Sequence, residues 1–129
     1  MAVTELVAEK FDETITDNEI VIIDFWAPWC GPCKSFAPTF EKVAAENEDI
    51  RFVKVNTDEQ QALAGHFGIR SIPTLMVFRE QVIVFQQPGA MPKGMLDDLI
   101  SQVRDLDMAA IRADARPFRA ADDEEADEA

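Results

Sequence analysis

The sequence predicts a single layered α/β domain. Three observations carry that reading: strand and helix signals alternate along the chain, one segment reads as a strand covered on both faces, and 129 residues suffice for one ordinary core. Hydrophobic residues make up 47% and charged residues 29%, so apolar burial can offset the ordering entropy without disulfide staples.

The elements follow in order. Residues 3–6 read as a weak first strand, and Phe11 with Ile15 gives a short helical face. Ile20–Trp26 is a nearly continuous apolar, β-branched run broken only by Asp24, the pattern of a strand buried on both sides, and it is expected at the centre of the sheet. A helix is predicted over 34–47, with Phe36, Phe40, Val43 and Ala44 facing inward. Arg51–Asn56 reads as a strand, followed by a short helix marked by Ala62, Leu63 and Phe67. Segments 74–78 and 82–85 read as adjacent strands of an antiparallel hairpin. Leu96, Leu99, Ile100, Val103, Leu106 and Ala110 keep an i, i+3, i+4 rhythm, which predicts one last helix running to about Asp114, with Pro117 as its outer limit. No internal repeat is apparent.

Charge narrows the function classes. Twelve Lys and Arg against 25 Asp and Glu leave a net charge of −13, which repels phosphate backbones and anionic headgroups and so disfavours nucleic acid and membrane surfaces as partners. From Asp105 onward nine acids face three arginines. Beyond Pro117 the composition falls, apart from Phe118 and Arg119, to Ala, Asp and Glu, and residues 117–129 are expected to form a disordered acidic tail. The first residues lack a basic segment followed by an apolar stretch, and the longest apolar run, 20–30, is interrupted and far short of the ~20 residues of a membrane span. A cytoplasmic protein is the expectation.

The chemistry concentrates at Cys30-Gly31-Pro32-Cys33, the only cysteines of the chain. A secreted disulfide framework is excluded by that count. The pair follows the central strand and opens a helix, which places two thiols in one turn, close enough to join and separate with a small local adjustment. Pro32 suits a first turn, where no intrahelical N–H is lost, and Gly31 leaves room for an approaching chain. Cys30 stands where unpaired N–H groups and the helix dipole favour an anion, making it the candidate nucleophile. Cys33, one turn deeper, is the candidate resolving thiol. Metal ligation is the competing use of such thiols, but two Cys and the distant His66 fall short of the four protein ligands a single-chain zinc site takes; the remaining metal alternative is an ion bridging two copies through Cys30 and Cys33 of each. His66 itself is given no catalytic role. Asp24 is the one ionisable group of the central strand; it is either a poorly hydrated carboxyl suited to accept a proton from Cys33, or an acid at a solvated strand end. Lys54 alone reads as solvent-facing. Trp26 reads as core, and Trp29, beside Cys30, as a contact residue. Ile72-Pro73-Thr74 opens a strand with a proline, marking a start or edge to which an extended peptide can add.

Asp24-Phe25-Trp26-Ala27, Trp29-Cys30-Gly31-Pro32-Cys33-Lys34, Gly68-Ile69-Arg70-Ser71-Ile72-Pro73-Thr74 and Gly89-Ala90 together resemble the thioredoxin family, over about residues 3–104. The resemblance implies a thioredoxin fold: a five-stranded mixed sheet flanked by four helices, the last one extended. It implies a domain at 1–104, a helix extension at 105–116 and the acidic tail beyond, and a cis peptide bond before Pro73 lying against the cysteines. By the same resemblance Cys30 attacks, Cys33 resolves, Asp24 carries the proton, Lys54 modulates Asp24, and an extended substrate lies along Trp29, Gly31, Pro32, Ile72, Pro73, Gly89 and Ala90. Pro38 matches the family's active-site helix. The implied activity is protein-disulfide reduction by a single copy acting on disulfide-bearing clients and recycled by an NADPH-dependent thioredoxin reductase, with no bound cofactor or metal; Pro32 before the second cysteine points to the reductive direction. The alternative is a non-catalytic binding or assembly subunit of the same fold. Two departures stand out: the hairpin turn at Glu80-Gln81 lacks the family's glycine, so another turn form is expected, and Pro88 removes a backbone donor beside Gly89.

Overall fold

The apolar run Ile20–Trp26 forms β2, buried from Ile20 through Phe25. The computed structural model describes residues 2–114, and the predicted acidic tail lies outside them. Around β2 stand β1 (Val3–Glu5), β3 (Arg51–Asn56), β4 (Thr74–Arg79) and β5 (Val82–Pro88), in the order β1-β3-β2-β4-β5. β3 runs parallel to both β1 and β2, whereas β4 runs antiparallel to β2 and β5. The sheet is therefore mixed, with β2 in the middle.

Because successive side chains of a strand point to opposite faces, β2 divides its apolar residues between two cores. Ile20 and Ile22 join Phe52, Leu75 and Val77 against Phe36, Phe40 and Val43 of α2 (Gly31–Glu46) and Leu96, Ile100 and Val103 of α4 (Lys93–Arg104). Val21, Ile23 and Phe25 join Val53, Val55, Met76 and Phe78 against Phe11 and Ile15 of α1 (Phe11–Asp17) and Leu63 of α3 (Gln61–His66). Fully buried Phe25, Phe40, Phe52 and Phe78 anchor these layers, each contributing roughly 1.5–3 kcal/mol relative to exposure. Edge-to-face packing of Phe40 on Phe52 at 5.3 Å and of Phe11 on Phe78 at 5.8 Å adds geometric specificity.

Two expectations are corrected here. The described residues hold five α-helices, not four, because the single long C-terminal helix is interrupted: α4 stops at Arg104 and α5 (Met108–Asp114) starts afresh. The apolar rhythm continues across the break, but local capping overrides it. Arg79 Nη1 donates to the carbonyls of Val103 at 2.7 Å, Arg104 at 3.2 Å and Leu106 at 3.0 Å, satisfying acceptors that a continuing helix would need for itself. Asp107 Oδ1 then accepts from the N–H of Ala110 at 3.1 Å, the bond of an N-cap.

The hairpin turn does not take another form for want of glycine. Glu80 (φ 52°) and Gln81 (φ 71°) both take positive φ, as a two-residue type I′ loop requires, despite lacking glycine. The strain is held by tertiary contacts: the Glu80 N–H donates to the Glu19 carbonyl at 2.7 Å, and Arg112 Nη2 of α5 meets Glu80 Oε1 at 2.6 Å.

Gln81→Gly relieves one left-handed residue and is expected to raise stability by about 0.5–1 kcal/mol in urea unfolding. Arg79→Ala strips three carbonyls of their donor and is expected to cost about 1–3 kcal/mol by the same measurement, with increased amide exchange confined first to 103–114.

Candidate active site

The carboxyl end of β2 turns through 27–29 directly into α2, and Cys30 is the N-cap of that helix, with extended backbone (φ −88°, ψ 111°). Its Sγ accepts the Cys33 N–H at 3.2 Å, so the sulfur occupies the place a capping oxygen usually takes. The N–H groups and dipole of the 16-residue helix point at this sulfur and favour its negative form once the pair is reduced. Pro32 falls in the first turn, where it costs no helical bond, and Pro38 lies inside α2. Cys30 and Cys33 are joined as a disulfide, with Cα atoms 5.2 Å apart.

Both cysteines are buried, Cys30 at 5% and Cys33 at 2% exposure, packed with Ala27, Trp26 and Ile72. What surrounds Cys30 is open: Gly31 and Pro32 are exposed, and a Cβ added at Gly31 would meet nothing within 4 Å. The Ile72–Pro73 bond is cis, and the Ile72 carbonyl oxygen lies 3.8 Å from Cys30 Sγ. Gly89 (φ 99°) adopts a backbone that favours glycine and donates its N–H to the Pro73 carbonyl at 2.7 Å, which ties the end of β5 to the same wall. Ala90 follows it, exposed, and Pro88 sits on edge strand β5 opposite Thr74, where a missing donor is tolerated. Trp29 is 69% exposed and is held by Nε1 donating to Asp58 Oδ2 at 2.9 Å.

Asp24 is 3% exposed on the face of the sheet that α2 covers, and its Oδ1 has no hydrogen-bond partner among the described residues. It is thus not at a solvated strand end. Burial pushes its carboxyl up to about 7; Lys54 opposes that rise and Glu5 adds to it. Lys54 is not simply solvent-facing either. It is half-buried, in register with Asp24, with its Nζ 4.7 Å from the centre of the Trp26 ring. His66 lies on α3 against Phe67.

Two residues near the site are not among those the sequence marks. Asp58 follows an Asx turn in which Asn56 Oδ1 accepts the N–H groups of Asp58 at 2.9 Å and Glu59 at 3.3 Å; the Asn-Thr-Asp run after a strand was the available signal. Glu5 had no such signal, since its relation to Lys54 depends on β1 pairing with β3.

A family model described as Thioredoxin matches residues 2–102. The chain belongs to the thioredoxin family. It is 60% identical over 108 residues to a protein named Putative thioredoxin 2 from Streptomyces coelicolor, covering 84% of this chain and 81% of that one. It is 40% identical to the thioredoxin of Porphyra purpurea, covering 79% of this chain and 97% of the other. Among solved structures, a mutant thioredoxin from Halobacterium salinarum superposes with a TM-score of 0.73 at 36% identity, covering 81% of this chain and 91% of that one. Oxidised mitochondrial thioredoxin 3 from Saccharomyces cerevisiae gives 0.71 at 30% identity, covering 78% and 95%. With the Cys30-Cys33 pair in place, this thioredoxin domain is a thiol–disulfide oxidoreductase with protein-disulfide reductase activity. Among the described residues no helix is long and apolar enough to cross a membrane.

The folded protein holds a proton on Asp24 up to about pH 7, whereas an unfolded chain releases it near 3.8, so the group favours folding least above pH 7. Stability is expected to decline as pH rises from about 4 to 7, by roughly 3 kcal/mol from this group alone. Asp24→Asn removes the decline; urea unfolding at pH 5 and pH 8 should show the variant gaining on the parent at the higher pH.

Proposed function

We propose that the protein is a general disulfide reductase of cytoplasmic client proteins, acting as a single copy and recharged by an NADPH-linked flavoprotein thioredoxin reductase. The observation that carries this reading is the disulfide at the start of α2, with its Cys30 sulfur beside the Ile72 carbonyl and the open surface of Gly31 and Pro32.

In the reduced protein the Cys30 thiolate attacks one sulfur of a client disulfide, forming a mixed disulfide and releasing the client's other sulfur as a thiolate. The Cys33 thiol gives its proton to the Asp24 carboxylate and attacks Cys30 Sγ, which breaks the mixed disulfide and frees the second client sulfur. The client takes up two electrons and two protons, one from Cys33 by way of Asp24 and one from solvent, and Cys30 and Cys33 end as a disulfide. NADPH, through the reductase, returns the two electrons. Trp29, Gly31, Pro32, Ile72, Pro73, Gly89 and Ala90 provide the surface along which an extended client segment is held; β4 itself is paired on both sides from Thr74 onward, so backbone bonding falls to Ile72, ahead of the paired residues. Pro32 before Cys33 supports the reductive direction, as in the family's reducing members.

Cys30→Ser is expected to abolish reduction of insulin disulfides by dithiothreitol beyond the uncatalysed rate. Cys33→Ser should still attack, accumulating a covalent client complex that excess dithiothreitol dissolves. Biological function that survives replacement of both cysteines would instead favour a non-catalytic assembly role.

A further inference from the structure

Asp24 does not face Lys54 alone. In the register of the sheet, Glu5 of β1 is the partner of Lys54 on β3, and Lys54 is the partner of Asp24 on β2, so the three side chains stand in one row on one face. Two acids therefore flank a single ammonium, with about 10 Å between the outer backbones, two strand spacings. Among the described residues Lys54 is the cation that acts on Asp24: Leu75 continues the row on β4, α4 presents the apolar Leu96 and Ile100 to this face while its Lys93 is held by Glu46 and Asp97, α2 brings Cys33 behind its N-cap Cys30 with Lys34 and Lys42 outside this face's buried cluster, and Trp26 of β2 lies under the Lys54 ammonium. Glu59 adds a further negative charge facing Glu5. Glu5 is exposed as a residue at the sheet edge, yet its carboxyl is screened enough for burial to push its pKa up, with Lys54 and Trp26 opposing the rise and Glu59 adding to it.

We infer that Glu5 is a positioning residue for the thiol exchange: it competes with Asp24 for the positive charge of Lys54 and so keeps the buried carboxylate ready to take the Cys33 proton near neutrality. The inference rests on Asp24 acting as the proton acceptor. No bond to Glu5 is made or broken. Its effect is Coulombic, across a sheet whose low polarity transmits charge better than water does. The edge placement makes the residue removable without a cavity, unlike Asp24 itself.

The test uses the full chain in its reduced form. The Asp24 carboxyl is titrated by carbon NMR, and the rate of insulin-disulfide reduction is followed from pH 5 to 9. In Glu5→Gln the Asp24 midpoint should fall by about 0.5–1 pH unit, and the acid limb of the rate profile should move down with it. Glu5→Asp should restore most of the parent behaviour. Glu13→Gln removes the same charge from α1, on the opposite side of the sheet, and should move neither midpoint. A Glu5→Gln midpoint equal to the parent's, while Asp24→Asn still removes the acid limb, overturns the role of Glu5 and leaves that of Asp24 standing. An acid limb unchanged in Asp24→Asn overturns both.

Discussion

The constraint on which the rest depends is the junction where β2 ends and α2 begins. A strand buried on both faces cannot shift along its axis without moving apolar side chains out of two cores at once, so its last residues are fixed in space. The helix that follows starts with a sulfur as its N-cap. With sulfur in place of a capping oxygen, the N–H of Cys33 serves the helix cap and the Cys30 sulfur together. The opposite wall is equally fixed, since Pro73 leads directly into β4, whose Thr74 is paired with Phe25 of β2 and with Pro88 of β5. Sulfur and groove therefore hang from the same central strand.

Much of this was legible in the chain. Ile20–Trp26 announced a central strand because burial on both faces leaves no polar alternation, and Cys30, Pro32 and Cys33 announced a helix start because each suits an N-terminal turn for its own reason. The misreadings share a cause. The helix break at Asp105 is imposed by the Arg79 side chain, and the positive-φ turn at Glu80 and Gln81 by the Glu19 carbonyl and the Arg112 side chain; apolar periodicity carries no trace of such contacts. The burial of Asp24 was legible as one of two options. Its pairing with Lys54 entered through resemblance, and the third member of the row, Glu5, was hidden because strand order is not written in local pattern.

The sheet also separates two kinds of electrostatics. At the end where Ile20 pairs with Arg79, charges are matched: Arg79 reaches carbonyls of the 103–106 segment and approaches Glu19 at 3.6 Å, while Arg104 makes a two-pronged contact to Asp49 at 2.7 and 3.0 Å. Arg104 holds the Asp49 carboxyl below its ordinary range. Near the other end, Asp24 keeps within the core an oxygen that has no hydrogen-bond partner among the described residues. An unmatched buried carboxyl weakens the fold at alkaline pH, and it is tolerated because two hydrophobic layers hold the strand regardless. If Asp24 were paired as Asp49 is, its carboxyl would stay ionised with little affinity for a proton, and the acceptor proposed for Cys33 would be lost. The stabilising arginines sit at the end of β2 away from the cysteines, and the electrostatic mismatch lies at the end where the proposed exchange moves a proton.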